Sequence, residues 1–170
     1  MSRQLFAAVR TAVFGTLFVA LWTYLIPVWL AGPRAFGEAR PAGWVVIAMG
    51  AAIIIPCFFV FAWRGIGTPL PLDPPRKLVV SGPYRWVRNP MYTGMAIVLL
   101  GEAFLFPILT RVLLGELVIG GIAVAILVIG YEEPVLRRKF GEDYLEYCRH
   151  VRRWIPRLKP FDNRSNAAVQ

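Results

Sequence analysis

Four stretches of about 20 residues constrain this chain more than any other feature. Residues 11–30 and 41–63 carry no charge, residues 91–110 carry only Glu102, and residues 112–131 carry only Glu116. At about 1.5 Å of rise per residue, each is long enough as an α-helix to cross roughly 30 Å of hydrocarbon. A soluble helix of that length needs a polar face, and these have none. Composition agrees: 57% of residues are apolar and 17% charged, where soluble domains average about 45–50% and 25%. The sequence therefore predicts an all-α polytopic membrane protein with about four transmembrane helices plus a cytosolic amphipathic C-terminal helix. Residues 1–170 are expected to form a single membrane-embedded domain.

The net charge of +9 raises the question of nucleic acid, and its placement answers it. With both termini cytosolic, the inside segments hold sixteen Lys and Arg residues, and the outside loops hold only Arg34, Arg40 and Arg111. That is the positive-inside distribution of a membrane protein, so the basic residues meet membrane lipids and no nucleic-acid partner is expected. Cys57 and Cys148 form no disulfide framework, and the single histidine, His150, excludes a histidine-based metal site, so no metal is expected. The N-terminus has the basic start and apolar run of a signal peptide. The run is too long for an h-region and three more spans follow, which makes it a retained first helix. The compact four-span form suggests a bacterial inner membrane.

Gly32-Pro33 stops the first span, and Pro56 lies inside the second. Residues 64–90 are dense in glycine, proline and base, with aromatic and aliphatic residues interleaved, as expected of an ordered functional loop. Spans three and four form a hairpin that turns near Pro107. After Tyr131 comes Glu132-Glu133-Pro134, then an amphipathic helix. Its stripe of Leu136, Phe140, Tyr144, Tyr147 and Val151 is expected to pack on the membrane face or on the long loop. Residues 163–170 read as a flexible tail.

Four features on the cytosolic side can carry chemistry. Gly65-x-Gly67 lets a backbone approach a ligand, though a helix C-cap would use the same glycines. In Gly82-Pro83-Tyr84-Arg85-Trp86-Val87-Arg88-Asn89-Pro90-Met91-Tyr92-Thr93-Gly94, arginines, an amide and aromatics crowd the start of a span. An interfacial anchor explains the Trp, Tyr and Arg but not the glycine and proline. Glu132-Glu133 puts two carboxylates at the end of span four, where the macrodipole is also negative, so a cationic partner or ligand ammonium is expected. Phe140-Gly141-Glu142-Asp143-Tyr144-Leu145-Glu146-Tyr147 precedes the basic tail Val151-Arg152-Arg153-Trp154-Ile155-Pro156.

In this order the features resemble the isoprenylcysteine carboxyl methyltransferase and phospholipid N-methyltransferase superfamily of integral membrane enzymes. That family's pattern runs G-x-Y-x-x-x-R-H-P-x-Y-x-G, a helical hairpin, E-E, F-G-x-x-Y-x-x-Y and a basic tail. The likeness covers residues 64–156, the methyltransferase core it implies. It implies S-adenosylmethionine as methyl donor and a lipophilic small molecule or lipid as acceptor, methylated on a carboxylate, thiol or amine. Carried over residue by residue, it implies donor binding by Gly65, Gly67, Gly82, Tyr84, Asn89, Pro90, Tyr92, Glu132 and Glu133. It implies catalytic roles for Arg88, Tyr92 and Glu133. Glu132 or Glu133 would accept bonds from the donor's ammonium or ribose hydroxyls, and Arg88 would pair with a carboxylate.

Asn89 stands where the family shows histidine, and it cannot serve as a base near neutral pH. Val128-Ile129-Gly130-Tyr131 replaces the arginine that precedes the glutamates in carboxyl-methylating members. The alternative reading is a non-catalytic membrane scaffold or partner-binding protein that retains the fold. Of the two acids inside spans, Glu116 is expected to be structural, near the outer end of span four. Glu102, about 15 Å along span three by helical rise, is left between an interhelical hydrogen bond and a substrate contact.

Overall fold

The computed structural model describes residues 19–32, 39–60 and 77–161, together with positions 9, 13 and 15–17. The described chain is helical and contains no strand. A π-helical turn at Leu21–Leu25 runs into the α-helix Ile26–Ala31, and together these are α1. The other helices are α2 (Ala42–Val60), α3 (Pro90–Leu105), α4 (Thr110–Leu127) and α5 (Glu133–His150). Gly32 ends α1 with φ 78°, and its N–H bonds the Val28 carbonyl at 2.8 Å.

Helix α3 begins where Pro90 occupies the first helical position, at which the missing N–H leaves nothing unpaired. It ends at Phe106 ahead of a 3₁₀ turn, Pro107–Leu109. The Ala103 carbonyl there accepts from the Thr110 hydroxyl at 2.8 Å, and the Leu105 carbonyl accepts from the Arg40 N–H at 2.8 Å.

The central pairing is α2 against α3, and glycines set its closeness. A Cβ added to Gly50 would lie 2.7 Å from the Gly94 carbonyl oxygen, and one added to Gly43 would lie 2.6 Å from the Gly101 carbonyl oxygen. The two helices are antiparallel, so seven-residue spacing on each puts glycine opposite glycine twice. In lipid, where the solvent is as apolar as leucine, such close backbone approach is a main source of helix association. On the other side Gly120 of α4 receives the ring of Trp22 from α1. Pro56 is carried inside α2 without interrupting it.

The end of α4 differs from the sequence expectation. Glu132-Glu133 is not a helix C-terminus, because a π-helical turn at Val128–Glu132 carries α4 directly into α5. Glu133 N–H bonds the Val128 carbonyl, and the widened turn accommodates Pro134, which has no N–H to give. The macrodipole argument for a cation at this point therefore fails, and the partners of the pair come from side chains.

The α5 stripe packs as one cluster. Tyr144, Tyr147 and Val151 are buried with Leu136 and Phe140 against Leu78 and Val80 of the loop and Phe161 of the tail. This is the loop-facing option of the two that the stripe allowed. Gly141 breaks the helix geometry at φ 53°, ψ −128°.

Among the described residues, two helices are long and apolar enough to cross a membrane: α2, and one within Pro107–His150. Helix α3 has 16 residues, about 24 Å by helical rise. Gly65, Gly67 and the segment 163–170 lie outside the described residues.

Candidate functional site

Tyr84 fixes the loop before α3. It lies in the 3₁₀ turn Gly82–Arg85, with Gly82 at φ 57°, and its ring is buried with Cys57, Val79 and Met91. Its carbonyl accepts a 2.7 Å bond from the buried Tyr147 hydroxyl, which ties α5 to the loop. The tail then runs alongside. Arg88 N–H bonds the Arg152 carbonyl, Arg157 N–H the Trp86 carbonyl and Phe161 N–H the Arg85 carbonyl, each at 2.9 Å. Asn89 Nδ2 donates to the Arg153 carbonyl at 3.1 Å. Asn89 thus holds the tail, a task for which an amide serves without any proton transfer.

This framework gathers charge around Glu133. Arg153 grips the carboxylate through both oxygens, Nε to Oε1 at 2.6 Å and Nη2 to Oε2 at 2.8 Å. Arg88 Nη1 lies 3.3 Å from Oε1 and donates to Cys148 Sγ at 2.6 Å. Burial alone would raise Glu133, but the Arg153 hydrogen bonds and the charges of Arg88, Arg153 and Arg137 outweigh it. Its carboxyl is therefore held below the ordinary range. The same bonds make Arg153 harder to deprotonate. Arg88 Nε is buried without a partner among the described residues.

Glu132 faces a different environment. Tyr92 donates its hydroxyl to Glu132 Oε1 at 2.6 Å. Burial raises the Glu132 carboxyl; the Tyr92 bond opposes that rise and the neighbouring Glu133 charge adds to it. Two adjacent carboxylates are thus pushed apart in proton affinity, one locked by arginines and one with a single tyrosine partner among the described residues.

Beside the Tyr92–Glu132 pair opens a cavity of about 360 Å³ between α3 and α4, walled also by Trp22 and by Trp154 of the tail. Its lining is mainly aliphatic and glycine, including Met95, Leu99, Gly120 and Val124. A volume of that order suits a small organic ligand.

The structure brings Arg88, Asn89, Pro90, Tyr92, Glu132 and Glu133 to one end of the α3–α4 hairpin. Tyr84 and Gly82 stand behind them, shaping the turn. Glu116, in the half of α4 nearest the hairpin turn, is buried and borders the cavity. Glu102 is half-buried on α3, outside that wall. Sequence reasoning missed Arg153, Cys148 and Trp154. For Arg153 and Trp154 the signal was their place in the basic tail, where interfacial lipid contact accounts for arginine and tryptophan equally well; Cys148, within α5, gave none.

A family model, phospholipid methyltransferase, matches residues 40–143, more than half of the chain. The chain belongs to the phospholipid methyltransferase family. The match takes in the glycine seam, the Gly82–Gly94 motif and both glutamates of this family member, and it stops before Cys148, Arg153 and Trp154. The family is one of methyltransferases with lipid-like substrates. No curated protein and no solved structure matches the chain.

Proposed function

We propose that this protein transfers a methyl group from S-adenosylmethionine to a lipophilic acceptor bound between α3 and α4. The observation that carries the proposal is the adjacency of a polar end and an apolar cavity. Tyr92 borders a space lined mainly by aliphatic side chains and bonds Glu132, whose neighbour Glu133 holds Arg88 and Arg153, and Trp154, next to Arg153, borders the same space.

The residues present suit that donor. Arg88 Nε is a buried cationic donor with nothing to bind among the described residues, which fits the donor's carboxylate. Glu132 Oε2 is left over by the Tyr92 bond and fits an ammonium or a ribose hydroxyl. Glu133, already gripped by two arginines, serves better to position Arg88 than to contact a ligand. When bound, the donor supplies a methyl group on an electron-poor sulfonium. The chain's part is to align the acceptor in line with it and to keep water out, the work of the apolar cavity and Trp154. With its proton affinity raised by burial, Glu132 is placed to receive the proton that an amine or thiol acceptor releases; a carboxylate acceptor releases none.

For the membrane, the proposal is four crossing segments, α1 to α4, with both termini cytosolic and the methyltransferase core at residues 64–156. The sixteen-to-three split of basic residues supports that orientation. Glu132 and the tail then face the cytosol of a bacterial inner membrane. Calorimetric titration of S-adenosylhomocysteine into the purified full-length protein tests the donor reading. Saturable binding that Glu132→Gln weakens is expected; no binding by folded wild type would overturn it.

A further inference from the structure

The tail after α5 is fixed to the loop by backbone bonds, yet it carries apolar side chains that the protein leaves uncovered. Arg88 N–H bonds the Arg152 carbonyl, Arg157 N–H the Trp86 carbonyl and Phe161 N–H the Arg85 carbonyl. Arg85 Nε also donates to the Phe161 carbonyl at 2.6 Å. On that fixed backbone Ile155 is 61% exposed and Leu158 97%. Trp86, whose carbonyl the tail uses, is 41% exposed. The other exposed large apolar side chains described fall within residues 9–30, 44–59 and 104–131, the segments read as crossing the membrane and the turn between two of them. Helix α5 exposes none, so uncovered apolar surface is not a general feature of the cytosolic side.

Depth and charge say what covers this patch. Trp86 precedes Pro90, the first residue of α3, by four positions, and Trp154 reaches the cavity between α3 and α4. The patch is therefore level with the ends of the spanning helices, where tryptophan and aliphatic side chains meet lipid headgroups. Residues 147–161 contain no aspartate or glutamate. Arg152 and Lys159 are exposed and form no ion pair among the described residues. Aliphatic side chains set between free cations match a surface that is anionic outside and apolar beneath, which is a bilayer containing acidic phospholipid.

We infer that residues 151–161 form a lid seated on anionic lipid. Ile155, Leu158 and Trp86 enter the boundary between headgroups and acyl chains, and Arg152 and Lys159 meet lipid phosphates. The seated tail holds Trp154 in the cavity wall, so acidic lipid in the facing leaflet favours the state in which that wall is complete. The inference rests on the membrane reading of α1–α4 and does not depend on the identity of the methyl donor.

The test uses full-length protein in nanodiscs of phosphatidylcholine alone and of phosphatidylcholine mixed with phosphatidylglycerol. Amide hydrogen exchange at Arg157 and Phe161 reads the population in which the tail has lifted. Both residues follow a proline, so substitutions at positions 152, 158 and 159 leave their intrinsic exchange rates unchanged. Phosphatidylglycerol should slow exchange in wild type about 30-fold more than in the double variant Arg152→Gln, Lys159→Gln, at about fivefold for each cation. The lower pH at an anionic surface acts on both proteins and cancels. Leu158→Ser should speed exchange about tenfold in either disc, the effect of withdrawing one aliphatic side chain from the boundary. A side chain exposed to that degree has almost no protein contact to lose, so the effect comes from lipid.

Equal slowing of wild type and the double variant by phosphatidylglycerol overturns the inference. Wild-type exchange in Leu158→Ser overturns it as well, and is the result expected if the patch awaits a protein partner instead. Wild type that does not enter the discs would overturn the membrane reading and the lipid seat together.

Discussion

Replacing Arg153 with methionine should release the tail from the site. The side chain keeps its length and loses both bonds to Glu133, at 2.6 and 2.8 Å. A hydrogen bond to a charged group contributes about 1.5–3 kcal/mol when well buried. Glu133 is 12% exposed and Arg153 33%, so water screens part of the interaction. Discounted for that exposure, the pair together stabilises docking by about 2–3 kcal/mol, or roughly 30- to 150-fold in the docking equilibrium. Trypsin reads this directly. Cleavage after Arg157 requires the tail to lift, because the Arg157 N–H is bonded to the Trp86 carbonyl. Where reclosing outpaces cleavage, the rate follows the open population. Arg153→Met should therefore raise cleavage after Arg157 by about 30-fold or more by the same conversion. Arg149→Met, which removes a 63%-exposed side chain paired with Glu146, should not. An unchanged rate at Arg157 in Arg153→Met would refute the claim that this ion pair docks the tail.

The same pair gives the docking a pH dependence of definite sign. The Glu133 carboxyl titrates below its ordinary value of 4.5 when folded. Its contribution is thus fully present above that value and is lost as pH falls through the folded one. Amide hydrogen exchange at Arg157 and Phe161 should accelerate in acid beyond the intrinsic rate. The loss should begin at higher pH in Arg153→Met, where Glu133 keeps only the charges of Arg88 and Arg137.

Three further substitutions test other parts of the argument. Gly50→Ala drives a methyl to 2.7 Å from the Gly94 carbonyl, a backbone atom that cannot swing away. It should lower stability by about 1–3 kcal/mol in a thermal melt, whereas Gly121→Ala, facing open space, should not; equal melts would discredit the seam. Tyr92→Phe leaves Glu132 without its hydroxyl partner and should weaken S-adenosylhomocysteine binding about 5- to 100-fold by calorimetry, the equivalent of about 1–3 kcal/mol. Gly141→Ala meets no neighbour but must adopt φ 53°, ψ −128°, a strain of about 1–3 kcal/mol; a melt identical to wild type would show that the break in α5 is not required.

What the sequence made legible was whatever repeats locally. The α5 stripe keeps helical spacing at Leu136 and Phe140 before the Gly141 break and at Tyr144 and Tyr147 after it, and it packs as one cluster. The Gly82–Gly94 motif is contiguous, so its turn, its Pro90 helix start and its Tyr92 all read directly. What stayed hidden was pairing between distant segments. Gly43 and Gly50, like Gly94 and Gly101, are seven apart in plain view, but the spacing acquires meaning only when α2 and α3 are laid antiparallel. Glu132-Glu133 looked like a helix end because the apolar run of span four stops at Tyr131, and Pro134 beyond it interrupts a helix only if the hydrogen-bond ladder before it is α-helical. The π turn at Val128–Glu132 shifts that ladder and removes the conflict.

That same turn explains how two adjacent glutamates reach different surroundings. On a helix, neighbours in sequence point about 100° apart, so a continuous α4–π–α5 helix turns Glu132 toward Tyr92 on α3 and Glu133 toward the tail arginines. Had the helix ended there, both carboxylates would have been free to seek the same cation. Continuity of the helix thus separates a gripped carboxylate, which holds Arg88 and the tail in place, from one bonded to the cavity-lining Tyr92. The site therefore depends on a backbone feature within the hairpin as much as on the residues of its motif.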